Sequence, residues 1–156
     1  MQDNYRNICK IGRTTAGMTQ ERWAEALDYS VESVRLCEAG KMMPSDDVVL
    51  RMIEVASLPV LGYWHLLNKS RMAAQILPEV ESTPLPQAVI QLILRIRDFA
   101  EKHRTDRLME IAADGRIDDL ERESFDDIVS ELEGVVQAVM QLKYAEGSET
   151  YDTGRY

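Results

Sequence analysis

The chain of 156 residues is predicted to be all-α, and three observations predict it. Residues 19 to 44 spell two short helices joined by a tight turn. Apolar residues recur three and four apart over 85 to 103 and again over 125 to 142, the spacing of helical seams. A stretch with three prolines, 78 to 86, separates the two halves and disfavours helix wherever a proline follows.

Taken in order, a first helix spans residues 8 to 13. Gly12 inside it costs roughly 1 kcal/mol relative to Ala, which a close helix crossing would explain. Thr19 is placed as the N-cap of the second helix, with Glu21 and Arg22 behind it. Ala24, Leu27, Val34 and Cys37 form the dry seam between the second and third helices. Ser30 caps the third helix, although Ser33 is not the Glu or Gln of a full capping box. Gly40 stops that helix and Pro44 sets the chain for the next. Residues 46 to 56 and 59 to 67 supply a fourth and a fifth helix, with Val48, Val49, Met52, Ile53, Trp64 and Leu67 adding to the core.

Thr19, Gln20, Ala24, Leu27, Ser30, Val34, Glu38, Gly40 and Pro44 together make the run resemble the helix-turn-helix of the XRE (Cro/repressor) family. The resemblance implies a five-helix, lambda-repressor-like DNA-binding domain over residues 1–70. It also implies roles: Ser30, Val31, Glu32 and Leu36 match base-facing positions, while Gln20 and Ser33 match positions that anchor the phosphate backbone. Thr19, Arg35 and Lys41 complete the expected interface. Glu32 can accept from cytosine N4, Val31 can touch a thymine methyl and Arg35 can reach phosphate or guanine. The start of a helix at Gln20 favours phosphate. Two letters depart from the family pattern: Trp23 stands where a small or aliphatic residue is usual, and Asp28 where glycine is usual. Asp tolerates a left-handed backbone better than most residues.

Beyond residues 71–86, read as a linker with one possible helical turn before its prolines, residues 87–145 are expected to form an antiparallel helical hairpin. One seam runs Leu85, Val89, Leu92, Ile96, Phe99 and His103, in a first helix closed by Gly115. The other runs Phe125, Ile128, Leu132, Val135, Val139 and Leu142. Asp118 and Glu121 have the spacing of a capping box. The Leu-Pro-Gln-Ala-Val start at Leu85 and the turn at Ala113 resemble the C-terminal half of prophage-type members of the same family. Flanking apolar residues make each seam too broad for a lone hairpin, so homodimerisation through these helices is expected. Residues 146–156 read as a disordered tail.

Composition bounds the function. The net charge is −9, but residues 1–69 carry eight Lys and Arg against nine Asp and Glu, while residues 70–156 carry ten against eighteen. A DNA-facing surface must therefore be a local patch, assigned to Arg13, Arg22, Arg35 and Lys41. The acidic run from Asp118 to Glu133 is either a solvated helix face or a docking surface for a basic protein partner. Residues 1–6 are polar and do not read as a leader, and no apolar stretch could span a bilayer, so a cytoplasmic protein without membrane association is expected. Cys9 and Cys37 read as small buried hydrophobes, and His65 and His103 lack companions for a metal. A calcium loop at 110–121 is rejected because Ala112 would occupy a ligand position. No catalytic set or cofactor motif is visible, so an enzyme is not expected. The sequence thus implies a dimeric, sequence-specific regulator, a repressor, on a palindromic operator of double-stranded DNA. The alternative is an antitoxin-like adaptor that keeps the fold without strong DNA binding.

Overall fold

The computed structural model describes residues 7–147. Residues 1–6 and, of the expected tail 146–156, residues 148–156 lie outside the described residues, while Glu146 is no loose tail, being hydrogen-bonded through its backbone. Among those described there are nine α-helices and no strand, and no helix is long and apolar enough to cross a membrane. The chain parts into two compact units between Leu77 and Pro78.

The first unit holds α1 (Ile8–Thr15), α2 (Gln20–Ala26), α3 (Val31–Glu38), α4 (Asp46–Ala56), α5 (Val60–Lys69) and the single turn α6 (Ala73–Ile76). Short polar residues start four of them: Asn7, Thr19, Ser30 and Ser45 each accept the backbone N–H three positions on. Left-handed residues end four: Gly17, Asp28, Gly40 and Ser57 all have φ between 50° and 67°. α1 packs on α3, α4 and α5, and α2 packs on α3. Trp23, Leu27, Val34, Met52 and Leu61 are fully buried at these crossings. Gly12 sits where a side chain has no room. A Cβ there would stand 3.0 Å from Trp23 Cζ2 and 3.1 Å from Leu61 Cδ1. The two oddities of the sequence therefore answer each other: the missing side chain at 12 is the space that the large indole at 23 fills.

The second unit holds α7 (Leu85–Glu101), α8 (Arg104–Ile111), a 3-10 turn (Ala112–Asp114) and α9 (Asp119–Lys143). α7 packs along α9, and α8 touches both. Three sequence expectations change here. The first helix does not run to Gly115: it stops at Lys102, and His103 turns left-handed with φ 53°. Glu131 of α9 holds the break, receiving Lys102 Nζ at 3.1 Å and Arg104 Nη2 at 2.6 Å. The seams are also used only in part. Ile128, Ala88 and Ala138 are buried, whereas Val89, Ile96, Leu132 and Val139 are exposed, because small residues let helices approach closely. Finally, residues 78–84 are no free linker. Val80 and Thr83 are buried, Gln137 donates to the Glu79 carbonyl at 3.0 Å, and Glu146 pairs with both Thr83 and Leu85 through the backbone. Asp118 caps α9, with its carboxylate on the Glu121 N–H and the Glu121 side chain returning to the Asp118 N–H.

Candidate nucleic-acid interface

The turn between α2 and α3 is built by a helix stop followed at once by a helix start. Asp28 N donates to Glu25 O and Tyr29 N to Ala24 O, the paired bonds that close a helix around a left-handed residue. Arg51 from α4 reinforces the stop: its Nη1 donates to the Leu27 carbonyl at 2.9 Å and stands 3.6 Å from the Asp28 carboxylate. Ser30 then accepts from Ser33 N at 3.0 Å, and the two hydroxyls are 2.8 Å apart. Val34 and Cys37 lock the inner side of α3. Its outer side carries Glu32 and Arg35, both exposed, with Val31, Ser33 and Leu36 half-exposed. The Glu32 and Arg35 side chains face each other only at 3.9 Å and are open to water, so both remain free to be drawn to another partner. Lys41 is exposed just past Gly40, its N–H closing α3 onto Leu36 O at 2.9 Å.

Glu38 fixes how α3 lies against the unit. Arg13 Nε donates to its carboxylate at 2.5 Å and Nη2 at 3.3 Å. Gln20 Nε2 donates to the same group at 2.8 Å, and Asn7 Nδ2 donates to its backbone carbonyl. Burial alone would push this carboxyl up; the bonds from Arg13 and Gln20 outweigh it and hold the group below the usual carboxylate range. Three helices, α1, α2 and α3, thus meet on one half-buried anion. Arg13 must be withdrawn from the cationic patch: its guanidinium is spent on Glu38 and on the Met18 carbonyl at 3.0 Å. Arg22, Arg35 and Lys41 stay exposed, and Lys10, not considered in the sequence, joins the exposed cations of this unit.

The start of α2 differs from expectation in a second way. Thr19 accepts from Arg22 N at 3.3 Å, as a cap should. Glu21, however, is an exposed acid in the first turn, and hydrogen bonding to its own backbone and to Thr19 holds its carboxyl below the usual carboxylate range. A phosphate arriving at this helix end meets a carboxylate already there. Gln20 retains its amide oxygen for a ligand, but one amide N–H is committed to Glu38.

The buried His65 places Nε2 2.8 Å from Asp46 Oδ1, with Lys69 Nζ at 2.7 Å from the same oxygen. No group of three or more potential metal ligands occurs among the described residues. Comparison with family models, curated proteins and solved structures returns no match for this chain.

Proposed function

We propose that the chain is a sequence-specific DNA-binding transcriptional regulator of the XRE type, a repressor acting as a homodimer on a palindromic operator. The observation that carries this reading is α3 itself. It is capped at both ends, pinned from behind by Glu38, and presents Val31, Glu32, Arg35 and Leu36 outward. Such a helix matches the dimensions of a major groove, with Glu32 facing cytosine, Val31 thymine methyls, and Ser33 and Lys41 phosphates. In this reading the first unit is the five-helix, repressor-like DNA reader. The second is a helical hairpin, with α8 as an added short helix, and serves as the dimer module. Dimerisation matters because a near-neutral unit makes few phosphate contacts and binds weakly alone. Two linked copies, their recognition helices about 34 Å apart, multiply those affinities.

A second reading has specific support. Arg13 is consumed internally, Glu21 occupies the start of α2, and the second half carries a net charge of −8 from ten cations and eighteen anions. These favour an adaptor whose acidic face docks a basic protein. Retention on immobilised duplex DNA separates the two. The regulator is held at low salt and released steeply as salt rises, whereas an adaptor flows through.

A further inference from the structure

Asp46, at the start of α4, meets His65 and Lys69 late in α5, while Ile53, two turns further on, meets Gly62. The two helices therefore run antiparallel, and an open groove of about 800 Å³ lies along them. That volume is within the range of small-molecule sites. Asp46, Val49, Leu50 and Ile53 line it from α4 at helical spacing, so the groove follows one helix face for about 10 Å.

Its two ends differ in chemistry. The far end is apolar: Leu66 joins Leu50 and Ile53 there, and Leu50 and Leu66 are 58% and 46% exposed. Gly62 keeps that end open, since a Cβ on it would stand 3.1 Å from Ile53 Cδ1. The near end is polar. Asp46 Oδ1 accepts from Lys69 Nζ at 2.7 Å and stands 2.8 Å from His65 Nε2. Hydrogen bonding to Lys69 and then to His65 holds this carboxyl below the usual carboxylate range, so Asp46 is an anion balanced by Lys69. Arg71, exposed at the same end, makes no ion pair among the described residues. The polar end is left with one positive charge unbalanced. Buried His65 beside it has an Nδ1 without a hydrogen-bond partner.

An apolar trough with a lone guanidinium at one end is complementary to a hydrocarbon chain that ends in an anion. A guanidinium accepts a carboxylate through two parallel N–H bonds. We propose that the α4–α5 groove is a binding site for a medium-chain aliphatic carboxylate, its tail along Leu50, Ile53 and Leu66 and its head on Arg71. None of the lining residues belongs to α2 or α3, so the site stands independently of the DNA-binding reading.

The test titrates the full chain with decanoate, below its micelle concentration, by isothermal calorimetry, beside decyltrimethylammonium and butanoate. The expected result is saturable uptake of one decanoate per chain, with the other two probes weaker by roughly tenfold or more. Arg71→Gln is expected to weaken decanoate several-fold, and Leu50→Gln with Leu66→Gln by roughly tenfold or more. All three side chains are exposed, so helix content by circular dichroism should not change. No saturable binding of decanoate, equal binding of the cationic probe, or full affinity in both variants would overturn the proposal. A dimer in the unaltered chain that the Leu50→Gln, Leu66→Gln protein loses, seen by light scattering, would also overturn it, because a second copy would then fill the groove. No DNA enters the experiment, so its failure leaves the proposed function as it stands.

Discussion

Glu21 keeps a carboxylate in the first turn of α2, at the helix end where a DNA phosphate would dock. Glu21→Gln is therefore expected to bind random duplex DNA roughly 2- to 5-fold tighter at low salt, measured by fluorescence anisotropy; unchanged or weaker binding would mean that no phosphate approaches α2. This competition was hidden in the sequence, where Glu21 reads only as a residue following the Thr19 cap. The identity of a capping residue is local and readable, as Thr19, Ser30 and Asp118 illustrate, but the direction its neighbour's carboxylate turns is not. The Gly12 and Trp23 pair shows the same limit from the other side. Each was visible as a departure, and only the packing of the Trp23 indole against Gly12 shows that one departure makes room for the other.

α3 owes its pose to Glu38, which gathers Arg13, Gln20 and Asn7 from two other segments. Because the folded carboxyl is held below its unfolded value, about 4.3, the stabilisation is present above that value and is lost as pH falls through the lower folded one. The wild-type melting temperature is expected to drop between about pH 5 and pH 3. Glu38→Gln should melt lower at pH 7, by a stability loss of roughly 1.5–3 kcal/mol, and should show a shallower acid slope. Equal slopes in the two proteins, followed by circular dichroism, would remove Glu38 from this role. The stops and starts of α2 and α3 were readable from Asp28, Ser30 and Gly40, because backbone conformation and capping act within a few residues. The bonds of Arg51 to Leu27 and of Arg13 to Glu38 span 24 and 25 positions and have no local signature. Reading Arg13 as a DNA-facing cation failed for that reason.

The second unit leaves an apolar surface in water: Ile90 and Ile93 are each 57% exposed, and Ile96 and Val136 are each 53% exposed. Helical periodicity put Ile96 on a seam and Ile90, Ile93 and Val136 beside one. It could not say which members the α7–α9 contact would use, since the alanines that allow close approach carry little hydrophobic signal. The proline-rich stretch misled for a related reason, because its ties to Gln137 and Glu146 come from residues more than fifty positions away. If this surface pairs two copies, Ile93→Asp with Val136→Asp should give the mass of one chain by light scattering where the unaltered protein gives two, without loss of helix content. Two chains in the variant would place the dimer elsewhere. The central claim is that the outer side of α3 reads base pairs, and the most direct measurement is selection of bound duplexes from a random pool. The account predicts a palindromic consensus with half-sites about one helical turn apart, in which Glu32→Ala relaxes the preference at one position of each half-site. A pool that emerges without any enriched sequence would contradict it.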